Sequence, residues 1–167
     1  MKLYLMRHGP AEDQADSGID ADRPLSATGR ERVRDVARLL VKAQELPLHV
    51  ISSPLVRAVQ TAEIVAIETK LSERRGTVEI RRELAPGGDQ ARFVRAAARD
   101  GRRRVMFVGH EPDMSAAATI LLGAFDRSFE KAMVVGARFA SDDDQATLRF
   151  VIDPKALRFD PDLRAAP

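Results

Sequence analysis

Short apolar runs of strand length recur along this chain, each ending in a polar loop that leads into a helical pattern. That alternation constrains the fold more than any other feature. Lys2–Met6 is a tight apolar run that stops at Arg7-His8-Gly9-Pro10, which reads as a buried strand ending in a loop. Ala11–Arg23 is polar and Asp-rich, hence a loop. Ser26 then opens a helix in which Val33, Val36, Ala37, Leu40 and Val41 recur at helical spacing. Pro47 closes that region, and His49–Ser52 reads as a second strand. Ser53-Pro54 predicts a helix start, a capping hydroxyl followed by Pro at the first helical position, with Leu55, Val59, Ala62 and Ala66 on one face. Thr77–Arg81 reads as a third strand, and Asp89 caps a helix through about Arg99. Arg104–Val108 is the clearest buried strand, followed by a helix over Glu111–Leu122 with Pro112 in its first turn. Lys131–Ala140 and Ala146–Val151 flank a Ser-Asp-Asp-Asp-Gln turn and read as an antiparallel hairpin.

Four strand–helix units followed by a hairpin predict an α/β fold: a three-layer α/β/α sandwich whose central sheet is mostly parallel, with a C-terminal antiparallel hairpin. A chain of 167 residues suits one domain. It is expected over residues 1–153, with 154–167 as an irregular tail that holds three prolines and no periodicity. The absence of cysteine excludes disulfides, thiolate metal sites and a cysteine nucleophile. No apolar run approaches a membrane span, and the N-terminus turns polar at once, so a cytoplasmic protein without membrane association is expected. One Tyr, no Trp and a formal charge of only +2 argue against nucleic-acid binding. Arginine supplies 22 of the 27 basic residues, and its planar fork of donors matches oxyanions. The clusters Arg74-Arg75, Arg81-Arg82 and Arg102-Arg103-Arg104 read as solvated faces or as a docking surface for an acidic partner.

Two of the three histidines share a local pattern: His8 and His110 each stand just past an apolar strand. In open α/β sheets, ligands bind at the carboxyl ends of the strands, so the two would converge in one crevice if their strands are neighbours. His49 stands at the start of a strand and reads as structural. Arg7 precedes His8, Arg57 lies in the first turn of the Ser53-Pro54 helix, and Arg23 stands just before the Ser26 helix. Arginine forks stabilise the charge on a phosphoryl group in transfer, and a neutral imidazole is a competent nucleophile near pH 7. The acids near these histidines do not cluster as a dinuclear metal site requires, so neither a metal nor another cofactor is called for.

These residues resemble the histidine phosphatase superfamily, whose fold is phosphoglycerate mutase-like. Leu5-Met6-Arg7-His8-Gly9 carries the signature. Leu25-Ser26-Ala27-Thr28-Gly29, the block Ser52–Ala62 and Gly109-His110-Glu111-Pro112 follow in order. Length, Arg23-Pro24-Leu25 and the block Glu83–Asp89 point to the small SixA-type phosphohistidine phosphatases. The resemblance implies His8 as the phosphorylated nucleophile, with Arg7, Arg57 and His110 completing the phosphate pocket and Arg23 as a further ligand. The short segments after the Arg57 helix and over Ala85–Arg104 imply no large lid insertion. An open site of that kind suits a phosphorylated protein, such as a histidine phosphotransfer domain. Glu83 is the expected general acid, with Asp89 second. Two other readings stand beside this one: a phosphatase of small esters such as sugar phosphates or nucleotides, and a non-catalytic module that binds phosphorylated partners.

Overall fold

In a computed structural model, residues 1–139 and 145–161 are described. Strands β1 (Lys2–Arg7), β2 (His49–Ser52), β3 (Thr77–Ile80), β4 (Arg104–Gly109), β5 (Val134–Phe139), β6 (Ala146–Asp153) and β7 (Arg158–Pro161) form one sheet in the order β3-β2-β4-β1-β5-β6-β7. The first four strands of that order pair in parallel, and β5, β6 and β7 extend the sheet antiparallel. The sheet is therefore mixed, with a parallel half that carries the histidine-bearing strands and an antiparallel half built by the C-terminal strands.

Side chains alternate across a strand, and β1 shows the consequence. Tyr4 and Met6 pack with Val33, Val36 and Leu40 of α1 (Ala27–Lys42) and Ala58, Ala62 and Val65 of α2 (Val56–Glu68). Leu3 and Leu5 pack with Val94 of α3 (Gln90–Arg99) and with Met114 and Leu121 of α4 (Asp113–Leu122). Two aliphatic cores on opposite faces make the expected three layers.

The expected caps of α1 and α3 form: Ser26 Oγ accepts from the Gly29 amide at 3.0 Å, and the Asp89 carboxylate from the Arg92 amide at 3.1 Å. Helix α2 differs from expectation. It begins at Val56 behind Leu55 with no side-chain cap, and buries Arg57, Ala58, Thr61, Ala62 and Val65 rather than the face of Val59 and Ala66. The Ser53 hydroxyl is drawn instead to a distant histidine. Val41 of α1 is also exposed, one position off the buried stripe.

The irregular tail expected from residue 154 is corrected by β7, which pairs with β6. Phe159 stacks on Phe150 with ring centroids 4.5 Å apart, and Phe150 lies 6.2 Å from Tyr4. One aromatic contact holds a strand too short to show a period. Of the hairpin turn expected at Ser141–Gln145, residues 141–144 lie outside the described residues.

Candidate active site

Strands β2, β4 and β1 end side by side. The His8 amide donates to Gly109 O at 3.0 Å and the Ser53 amide to Val108 O at 3.0 Å, so the backbone places Ser53, His110 and His8 along one carboxyl edge. The turn after β1 lies against α1 because two glycines permit it. A Cβ on Gly9 would stand 2.5 Å from a Val33 methyl, and one on Gly29 would collide with the Pro10 carbonyl. Thr61 ties α2 to this turn, accepting from the Gly9 amide at 3.1 Å and donating to Arg57 O at 2.7 Å.

The imidazoles of His8 and His110 stand 5.0 Å apart between ring centroids and are tilted by 52°. Both are buried, as is Arg57. His8 Nδ1 lies 2.7 Å from Gly9 O. A carbonyl oxygen only accepts, so Nδ1 carries the proton and the lone pair belongs to Nε2. His110 Nε2 lies 2.8 Å from Ser53 Oγ, which also accepts from the Leu55 amide at 3.3 Å. With the serine hydroxyl donating to Nε2, the His110 proton stands on Nδ1. That Nδ1 is buried and, like the buried Arg7 Nε, has no hydrogen-bond partner among the described residues. Buried donors of this kind call for an acceptor.

The arginines are braced from behind. Arg7 Nη1 donates to Phe129 O at 2.7 Å, and the Phe129 amide donates to the Glu111 carboxylate at 3.2 Å. Arg57 Nη1 donates to Asp20 O at 2.7 Å and Nη2 to Asp20 Oδ2 at 3.0 Å. Arg23 gives Nη1 to Asp20 Oδ1 at 2.8 Å and Nε to Glu12 O at 2.7 Å. Arg23 therefore joins the cluster through Asp20. The Arg23 and Arg57 guanidiniums hold the Asp20 carboxyl below the usual carboxylate range.

Burial, and then the nearby His110, Arg57 and Arg7, push His8 down to about 3. Burial, Arg57 and Arg7 push His110 down to about 4. Both rings are neutral at pH 7, the form a nucleophile and a neutral donor need. Both folded values lie below the ordinary 6.5, so the unfolded chain binds more protons between about pH 3 and 6.5 and stability falls as pH drops through that window. The imidazole resonances of His8 and His110 are expected to stay neutral from pH 8 to pH 5 by NMR, while an unperturbed histidine titrates there. Titration of His8 near 6.5 would contradict the site geometry.

Glu83 lies in the 3-10 turn Arg82–Leu84 that follows β3. It is exposed on the same sheet edge, and its side chain has no hydrogen-bond or ion-pair partner among the described residues. Asp89 is committed to its cap. His49 is remote at the start of β2, with Nδ1 2.9 Å from Thr77 Oγ1. Four residues of the cluster escaped sequence reading in these roles: Asp20, Ser53, Thr61 and Glu111. Ser53, Thr61 and Glu111 sit inside the recognised blocks, but no local pattern assigns their partners. Asp20 sits in a polar loop with nothing to distinguish it from Asp16 or Asp22.

Two histidines and two arginines converge at the carboxyl edge of an α/β sheet, an arrangement whose donors suit the oxygens of a phosphoryl group. The family model of the histidine phosphatase superfamily, branch 1, matches residues 3–87, a stretch that holds His8, Arg23, Arg57 and Glu83 but not His110. The chain belongs to the histidine phosphatase superfamily, whose members are phosphatases. It is 38% identical over 149 residues to an uncharacterized protein of Picosynechococcus sp., covering 83% of this chain and 85% of that one. It is 33% identical over 116 residues to the phosphohistidine phosphatase SixA of Escherichia coli, covering 67% of this chain and 68% of that one. The solved structure of the protein histidine phosphatase SixA complexed with tungstate superposes with a TM-score of 0.84 at 26% identity, covering 95% of this chain and all of the other. The fold matches that phosphoglycerate mutase-like structure and carries no large insertion. Among the described residues no helix is long and apolar enough to cross a membrane.

Proposed function

We propose that this chain removes the phosphoryl group from phosphohistidine on a partner protein, through a phosphohistidine intermediate at His8. The observation that carries the reading is His8 itself: neutral, with Nδ1 anchored on Gly9 O and Nε2 unengaged among the described residues, facing His110 beside two arginines. Nε2 attacks phosphorus while the substrate P–N bond breaks. The departing imidazole nitrogen keeps that electron pair and takes a proton from solvent. Arg7, Arg57 and the Nδ1–H of His110 hold the phosphoryl oxygens as charge spreads over them. Water then attacks phosphorus, the bond to Nε2 breaks, inorganic phosphate leaves and His8 regains its lone pair.

The likeness to SixA and the lack of an insertion above the site support a protein substrate. An imidazole leaving group is protonated near neutral pH and needs little help from an acid, which suits a site where Glu83 is exposed and unengaged. Release of phosphate from a phosphorylated histidine phosphotransfer domain, set against sugar phosphates and nucleotides, tests the reading. The expected result is loss of the protein phosphate well above the rate of His8→Ala, with Glu83→Gln costing less than about 10-fold. Ester turnover at kcat/KM of about 10⁴ M⁻¹s⁻¹ or more, with Glu83→Gln costing about 10²-fold, would make the chain a small-ester phosphatase instead. Binding of the phosphorylated domain without any turnover would make it a recognition module.

A further inference from the structure

The opposite end of the sheet carries a second concentration of charge that the reaction does not use. In the strand register, Lys2 of β1 stands directly beside Arg104 of β4 on one side and Arg138 of β5 on the other. Cross-strand partners share a face, so three cations stand in a row on the face of Tyr4. Adjacent strands lie about 4.8 Å apart, and the row spans about 10 Å. Like charges directly opposite one another destabilise a sheet. Lys2 is relieved by Glu45 at 2.9 Å. Arg104 and Arg138 have no ion-pair partner among the described residues.

Against this row lies a cavity of about 580 Å³ lined by Lys2, Leu48, Arg102, Arg103, Arg104 and Arg138. Its volume is that of a small-molecule site. Of the five cationic side chains on its wall, Lys2 pairs with Glu45 and Arg102 with Glu79 at 2.8 Å, which leaves three without an ion-pair partner among the described residues. Six residue steps along β1 put this groove about 20 Å from His8.

We propose that the groove at the amino ends of β1, β4 and β5 binds a small oligophosphate. A single phosphate spans too little of the row to reach every cation, whereas a chain of phosphates lies along it. Arginine forks grip phosphate oxygens two at a time, and the open groove along the row admits an extended chain of phosphates. The nucleotide and the inorganic forms of an oligophosphate share this chemistry, and the tests distinguish them.

Calorimetric titration of the full chain with inorganic tripolyphosphate, and in parallel with ATP, is the experiment. The variants are Arg104→Gln/Arg138→Gln and, for the catalytic edge, Arg57→Ala. Tripolyphosphate is expected to bind the groove of wild type and of Arg57→Ala alike, and that of Arg104→Gln/Arg138→Gln about 10-fold or more weakly, with any separate binding at the catalytic edge identified by its loss in Arg57→Ala. Tighter binding of ATP than of tripolyphosphate assigns the nucleotide form, and the reverse assigns the inorganic form. The double variant without ligand is expected to melt at or above the wild-type temperature in low salt, because the like-charge row is relieved, which shows that it folds. Equal binding by the double variant, loss of all binding in Arg57→Ala, or tighter binding of an oligo-aspartate peptide than of either phosphate would each overturn the assignment. None of these outcomes depends on whether the catalytic edge hydrolyses phosphohistidine.

Discussion

His8→Ala is expected to reduce turnover of a phosphorylated partner by about 10⁴-fold or more, the scale seen when a covalent nucleophile is removed. Nothing else in the pocket can take its place. His110 Nε2 is engaged by Ser53, and His110 Nδ1 is buried. The serine and threonine hydroxyls nearby are committed to neighbours. Rapid quenching of wild type with labelled phosphohistidine substrate is expected to trap a phosphoryl group on His8 that is stable in base and lost in acid. His8→Ala is expected to trap none. Label retained in the variant, or turnover within a few-fold of wild type, would place the nucleophile elsewhere.

Arg57→Ala is expected to lower kcat by about 10²- to 10³-fold, the usual cost of one preorganised donor aimed at developing charge. The guanidinium is almost sealed from solvent, with 8% of its side chain exposed, while the Asp20 carboxylate that covers it is 63% exposed. That asymmetry predicts opposite behaviour for the two partners. Asp20→Asn is expected to cost under about 1 kcal/mol of stability, as for other exposed pairs. It is also expected to tighten inhibition by inorganic phosphate by about 3-fold, because a negative charge leaves the pocket mouth. Steady-state kinetics with phosphate as product inhibitor separates the cases. Weaker phosphate inhibition in Asp20→Asn would mean that Asp20 serves mainly to hold Arg57 in place.

The parts of the site legible in the sequence are those whose signal is local. His8 and His110 are marked by an apolar run on one side and a Gly or Pro break on the other. Ser26 and Asp89 are marked as caps by the helices that follow them, and both caps form. Ser53 shows where that logic fails. A serine before a proline reads as a helix start, yet its hydroxyl reaches a histidine 57 residues away. The helix opens later, and its buried face turns to Ala58, Thr61 and Val65. A cap competes with every other acceptor or donor that the fold brings near, and a sequence window cannot contain that competitor.

Strand length, strand ends and the residues at those ends follow from short-range sterics and burial, and the amino-acid order alone determined them. Which strands become neighbours is a long-range choice, settled by how both sheet faces are covered. Only the tertiary structure seats β4 between β1 and β2, and with it His110 beside His8. The same choice folds the Asp20 loop back onto Arg57, attaches β7 through Phe159, and aligns Arg104, Lys2 and Arg138 in one row. Each of these contacts joins segments far apart in the chain, where no residue spacing carries a period and only packing decides the partner.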